Sequence, residues 1–243
     1  MITPAGKITA IGSGTTTVKG EDKKGNTIEL TVKVPEPAAR SIYLNVNKNK
    51  TIKLTGIKIA DLQDWTESTN GAVAVLENKN GKVTGKVIGK AYGISEINCR
   101  WKPKELKDIS GIGVTFPFRV YVEDPRLEED LEGSLPSKYD DDDFETGVLY
   151  LKNKKTRTYQ VAVEEYDSYT LKLNGVYQTV HFTSSTPSLV SVSAEEQETV
   201  LTGYYTGKYP KKTTLKKGKV AASVNGEKIT VEVIVVVYGD YGE

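Results

Sequence analysis

The chain has 243 residues, with 33 basic and 32 acidic side chains, one His and one Cys, and 37% of it is hydrophobic. The balanced charge excludes a global field for nucleic acid or an anionic membrane surface, and the lone Cys99 excludes an internal disulfide. The longest apolar run, Val231 to Tyr238, is strand length and far short of the ~20 residues of a membrane-spanning helix. Met1 is followed by ITPAGK, without the basic stretch and apolar core of a secretory leader. The chain is therefore expected either to be cytoplasmic when made or to be a piece of a longer exported protein.

Taken in chain order, nearly every segment has the period of two of a half-buried strand. Ile28, Leu30, Val32 and Val34 alternate with Glu29, Thr31 and Lys33. Val34-Pro35-Glu36-Pro37 then stops the strand, because proline has no N–H to give a ladder. Leu44-Val46 and Ile52-Leu54 flank the polar turn NKNK, and Ile59 to Trp65 has room for one helical turn. Ile97, Cys99 and Trp101 share a face, as do Val114, Phe116, Phe118, Val120 and Val122. Pro117 interrupts that last run on its opposite face, which predicts an edge strand or a bulge. Glu123 to Glu145 carries 11 acids, two bases and two prolines with little periodicity, so an acidic linker is expected over 125–147. Beyond it, Val190-Val192, Val220-Ala222-Val224 and Ile229 to Val237 resume the alternation. Asn225-Gly226 predicts a tight hairpin.

One pattern recurs three times. Residues 6–18 read GKITAIGSGTTTV, 81–93 read GKVTGKVIGKAYG and 199–208 read TVLTGYYTGK. Each joins an apolar residue to Thr, and each places a Gly at the end of a turn four residues after a small residue: Ala10 to Gly14, Gly85 to Gly89, Gly203 to Gly207. Upstream of two copies, Trp65 to Val75 (WTESTNGAVAV) aligns without gaps on Phe182 to Val192 (FTSSTPSLVSV). Repetition of this kind means arrayed modules. About seven short strands in ~80–90 residues is the signature of a β-sandwich. The expected fold class is all-β, with a partial module over 1–36 and complete ones over 37–124 and 148–243. Trp65, Phe182, Cys99 and Trp101 are the expected core residues.

The order and spacing of these motifs resemble the group 2 bacterial immunoglobulin-like domain family. Residues 43–123 match through Trp65, Ser68, Asn70, Val73, Val75, Gly81 to Gly85, and Gly89. Residues 148–238 match through Phe182, Ser184, Ser185, Val190, Val192, Thr202-Gly203, Gly207 and the closing ITVEVIVVV. Residues 2–34 match only the family's C-terminal half. The resemblance implies tandem immunoglobulin-like β-sandwiches, the first incomplete. Lys90-Ala91-Tyr92, Tyr204, Tyr205 and Tyr209 depart from the family pattern.

Nucleophilic catalysis needs a base beside the nucleophile. His181 neighbours Phe182 on a strand, so alternation turns it to the face away from the core. Cys99 shares its face with Ile97 and Trp101 and reads as a buried small hydrophobe. No catalysis and no cofactor are expected. Asp140, Asp141, Asp142 and Asp143 could supply oxygen ligands to Ca²⁺, but they lack the spacing of a calcium loop and read first as a solvated, self-repelling linker. Tyr204, Tyr205 and Tyr209, beside Lys208, Lys211 and Lys212, are the candidate carbohydrate patch, against ordinary strand and turn tyrosines. A Lys–Asn crosslink would need a buried acid beside the pair, and the sequence singles none out.

The resemblance implies a non-catalytic structural or adhesive array in a bacterial cell-surface protein, acting as spacer or binding module, at the cell surface or secreted. The alternatives are a decoration, tail or head structural protein of a tailed-phage virion, or an accessory module of a polysaccharide-degrading enzyme. The expected partner is a protein or a surface glycan, with no nucleic acid and no membrane span. A neighbouring module or second chain is also expected to cover residues 1–36. Ile8, Val18, Ile28, Leu30, Val32 and Val34 are too many apolar side chains for a two- or three-stranded sheet to bury alone.

Overall fold

Alternating apolar residues become strands almost throughout, in a computed structural model that describes residues 2, 6, 8–10, 12, 14–34, 39–54, 57–102, 113–139, 144–195 and 198–239. The chain divides into two units, Met1–Val122 and Glu123–Glu243.

The first unit opens with a hairpin of β1 (Gly14–Glu21) and β2 (Thr27–Val34). The Asp22 carboxylate ties its turn, accepting the backbone N–H groups of Lys24 and Asn26 and the Asn26 side-chain amide. A sandwich follows, built from β3 (Arg40–Asn45), β4 (Asn49–Thr51), β5 (Leu62–Glu67), β6 (Ala74–Lys79), β7 (Lys82–Gly89), β8 (Gly93–Trp101) and β9 (Val114–Glu123). One sheet has the order β3-β9-β8-β5 and the other β4-β7-β6. Val87, Ile97, Cys99, Val120 and Val122 are fully buried between them, and the half-buried Trp65 and Trp101 close the margin of this core. The expected helical turn is only the 3-10 segment Ile59–Asp61, after which the chain is already strand.

Pro117 is neither at an edge nor at a bulge. Strand β9 has neighbours on both sides and pairs with β8 without a register shift, Pro117 lying opposite Asn98. A proline removes a single N–H, and in an antiparallel ladder that loss is confined to one side of the strand.

The second unit contains β10 (Arg126–Leu127), β11 (Leu131–Glu132), β12 (Leu149–Asn153), β13 (Thr158–Glu164), β14 (Ser168–Asn174), β15 (Thr183–Ser184), β16 (Val190–Glu195), β17 (Glu198–Gly203), β18 (Thr214–Val224) and β19 (Glu227–Val237). Its sheets have the orders β11-β12-β13-β19-β18-β15 and β10-β14-β17-β16. Stripped of β10, β11 and β12, these are the strand orders of the first sandwich: β13-β19-β18-β15 repeats β3-β9-β8-β5, and β14-β17-β16 repeats β4-β7-β6. The protein is thus all-β, with tandem immunoglobulin-like sandwiches. Val161, Leu171, Val190, Leu201, Ile229 and Val233 fill the second core, with Phe182 beside them. The Asn225-Gly226 hairpin is present, with φ of 48° and 83° at its two central residues, the left-handed pair that a tight β18–β19 turn requires.

The linker expectation is corrected. Arg126–Leu127 adds a strand to β14, and Leu131–Glu132 adds one parallel to β12. Leu127 is completely buried in the main core, and Leu135 and Phe144 pack with Ala162, Ile234 and Val236 on the outer face of the larger sheet. The acids of this segment lie between apolar anchors, and hydrophobic burial holds it to the sandwich. Asp140 to Asp143, and the calcium reading placed on them, lie outside the described residues.

Candidate functional site

The two sandwiches share one turn, and the second elaborates it. In the first, the turn between β3 and β4 is closed by Lys48 N–H to Asn45 C=O at 3.0 Å, Asn47 N–H to Gly89 C=O at 3.0 Å, and Gly89 N–H to Lys48 C=O at 3.0 Å. In the second, between β13 and β14, Asp167 N–H reaches Glu164 C=O at 3.1 Å, Tyr166 N–H reaches Gly203 C=O at 2.9 Å, and Gly203 N–H reaches Asp167 C=O at 3.1 Å. The clamp favours glycine, most strictly at Gly89. A β-carbon at Gly89 would sit 2.9 Å from the Asn45 carbonyl oxygen, and one at Gly203 3.2 Å from that of Glu164. The repeat is therefore set one glycine differently from the sequence expectation: Gly203 is equivalent to Gly89, not to Gly85, and Gly85 lies inside β7. Sequence spacing misses this because the connection after Gly203 is longer than the one after Gly89.

The residue at the left-handed corner of this turn is Asn47 in one unit (φ 63°) and Tyr166 in the other (φ 65°). Asn tolerates that conformation; for a bulky side chain it costs roughly 1–2 kcal/mol. Tyr166 is 62% exposed, so burial offsets little of the strain.

Tyr166 leads a cluster. Its ring meets Tyr204 edge-on at 6.2 Å, and its hydroxyl donates to the Tyr205 carbonyl at 3.2 Å. Tyr205 meets Tyr209 edge-on at 6.0 Å and donates to the Lys208 carbonyl at 3.0 Å. Tyr209 donates to Glu165 Oε1 at 2.9 Å. Hydrogen bonding with Tyr166 and with the Glu165 carboxylate holds the Tyr209 phenol above its ordinary value, so it stays neutral. Lys216 Nζ lies 5.4 Å from the centre of the Tyr205 ring, within cation–π range. Gly207 lets that ring close in, since a β-carbon there would be 2.5 Å from the Tyr205 hydroxyl. Lys208, Lys211 and Lys212 are exposed on the same connection. The three expected tyrosines do come together. Tyr166, Glu165 and Lys216 were missed because they reach the cluster from other strands; the one local signal was a Tyr in the turn Glu165-Tyr166-Asp167, where Asn, Asp or Gly is usual. With these hydroxyls engaged internally, the exposed parts of the cluster are the rings of Tyr166 and Tyr209 and the side chains of Lys208, Lys211 and Lys212.

The other expected residues are dispersed. His181 is exposed and Phe182 is buried as expected, but both lie just ahead of β15 rather than within a strand. Cys99 is completely buried, and burial pushes its thiol up to about 12, which removes the reactive thiolate at neutral pH. Among the described residues, no group of three or more His, Cys, Asp and Glu gathers as a metal site. No helix among them is long and apolar enough to cross a membrane.

The sequence also missed Glu123, which has no exposed surface. Its carboxylate accepts the backbone N–H groups of Tyr177 at 2.8 Å and Gln178 at 3.3 Å, and the side-chain amides of Gln178 at 2.6 Å and Asn225 at 2.5 Å. It clasps the 176–178 loop and the β18–β19 turn to the start of the second unit.

No protein-family model matches the sequence, and no curated protein matches it. Among solved structures, the chain is similar to titin domains I67–I69, with 7% identity and a TM-score of 0.36, over 92% of this chain and 74% of that one. It is similar to the C-terminal 282-residue fragment of intimin, solved in complex with the intimin-binding domain of the translocated intimin receptor, with 14% identity and a TM-score of 0.36, over 94% of this chain and 61% of that one. It is similar to domains 1–6 of the surface-layer protein SbsC, with 15% identity and a TM-score of 0.27, over 98% of this chain and 37% of that one. The strand order, rather than these similarities, defines the fold as immunoglobulin-like.

Proposed function

We propose that this chain is a non-catalytic structural and adhesive array of the group 2 bacterial immunoglobulin-like kind, working in a bacterial cell-surface protein. The first sandwich is the plain module and the second carries the binding end. One observation supports this above the rest: the same hydrogen-bonded turn is built twice, once around an ordinary Asn47 and once around a strained, exposed Tyr166. Strain kept at one copy of a repeat is accounted for by use of that copy.

The β1–β2 hairpin takes a partner in this scheme. Ile28 and Leu30 are 72% and 51% exposed on a two-stranded sheet, too small to close a core of its own. A neighbouring module or second chain laid on this face would cover them. Replacing both by Ser should lower any self-association seen by light scattering.

The test of the function is to incubate the labelled chain with bacterial envelope fractions and follow both binding and the bound material. Saturable retention with the material chemically intact is expected. Release of shortened glycan or peptide products would overturn the non-catalytic reading.

A further inference from the structure

We propose that the tyrosine cluster of the second sandwich is a binding site for an acidic glycan, a chain of pyranose rings carrying carboxylate or sulfate groups. This rests on the binding role proposed above and names the ligand class of that end.

Three features carry it. First, the ring faces are the part left available. Tyr166, Tyr205 and Tyr209 each spend the hydroxyl on a protein acceptor, so their edges are fixed; Tyr205 packs partly against the core, and the rings of Tyr166 and Tyr209 stay exposed. The face of an aromatic ring is electron-rich and attracts the weakly positive C–H bonds that line one side of a pyranose. Second, the rings are held before any ligand arrives, by two edge-on pairs and by the close approach that Gly207 permits. A preorganised site loses little entropy on binding. Third, the cations select the ligand's charge. Lys216 lies against the Tyr205 ring, and Lys208, Lys211 and Lys212 are on the connection that carries Tyr209. Two carboxylates flank Tyr166 in its turn: Glu165 accepts from the Tyr209 hydroxyl and Asp167 from the backbone N–H of Ser168, so both are engaged within the protein. Rings flanked by ammonium groups fit a sugar chain with anionic substituents better than a neutral one.

Tyr166 distinguishes this from a chance group of surface tyrosines. The equivalent turn folds with Asn47, so the turn itself has no need of a ring there.

The experiment is calorimetric titration of the full chain with an oligogalacturonate, its methyl ester, a heparin-derived oligosaccharide and polyglutamate. Saturable binding of the oligogalacturonate or the heparin fragment is expected, and which of the two binds tells carboxylate from sulfate recognition. Tyr166→Asn should weaken it about tenfold or more, the scale of one lost ring contact, with thermal stability no lower than that of the parent. Lys216→Gln should weaken it about threefold and flatten its salt dependence. Failure of both acidic glycans to bind would overturn the proposal, as would equal binding of polyglutamate or undiminished binding by Tyr166→Asn. Equal binding of the methyl ester would overturn the charge selection. Retention on a protein component of the envelope, with no glycan bound, would overturn the ligand class while the adhesive reading stood.

Discussion

Asn47 and Tyr166 occupy the same left-handed corner of the same turn in the two sandwiches, at φ of 63° and 65°. The backbone clamp around them is unchanged, so the side chain alone differs in its fitness for the conformation. Tyr166→Asn relieves the strain of that corner but gives up the Tyr204 ring contact and the hydrogen bond to the Tyr205 carbonyl. It should therefore leave the second sandwich at least as stable, by up to about 1 kcal/mol, whereas Asn47→Tyr should destabilise the first by about 1 kcal/mol. Urea titration of the two variants checks both signs. A loss of stability in Tyr166→Asn would mean that the ring supports the fold.

Glu123 should matter far more to stability than its place in an acidic run implies. Its carboxylate satisfies four donors from Tyr177, Gln178 and Asn225. Glu123→Ala should cost about 3 kcal/mol, because buried donors left without an acceptor keep their full desolvation penalty. Glu123→Gln, which keeps one acceptor, should cost less. Thermal melts of both variants rank them.

Glu67 sets an acid sensitivity in the first sandwich. Desolvation pushes its carboxyl up, but hydrogen bonds from Ser95, Thr69 and Gly71 together outweigh that and hold it below the ordinary glutamate value. The backbone N–H groups of Thr69 and Gly71 donate at 2.7 and 2.5 Å, and the hydroxyls of Thr69 and Ser95 donate as well. A depressed folded value means stabilisation that is present above the unfolded value of about 4.3 and lost as pH falls through the folded one. Urea midpoints should therefore drop below about pH 4, and Glu67→Gln should flatten that slope.

Cys99 has the opposite dependence. Burial holds its thiol at about 12, so the folded state keeps the proton longer than the unfolded chain does. Its contribution is complete below the unfolded value of about 8.5 and declines above it. The thiol should resist a disulfide reagent at pH 8 until the chain is unfolded. Cys99→Ser should destabilise by about 1–3 kcal/mol through a buried hydroxyl.

The sequence revealed those parts of the fold that repeat a period. Ile97-Cys99 and Phe118-Val120-Val122 lie on buried faces as alternation requires, and Asn225-Gly226 turns as its chemistry requires. It failed where strands are two residues long. Arg126–Leu127 and Leu131–Glu132 have no period to read, and their burial depends on Leu127 finding a core built from residues far along the chain. Composition alone then made this segment a linker. The site was half legible for a related reason: Tyr204, Tyr205 and Tyr209 are neighbours in sequence, whereas Tyr166 and Lys216 join them only through the sheets.

The tyrosine end is held by a second sandwich that begins at Glu123 and builds residues 126–135 into itself. Hydrogen exchange of the full chain, read by mass spectrometry, tests this most directly. The amides of Leu127, Glu128, Asp130, Gly133 and Leu135 donate to the Tyr159 hydroxyl, Lys172, Leu149, Leu151 and Gln160, at 3.2, 3.1, 2.9, 3.2 and 2.9 Å. They should exchange slowly, within reach of the rates of β12 and β14. Exchange across 126–135 at the rate of an unstructured peptide, with β18 and β19 still protected, would contradict the account.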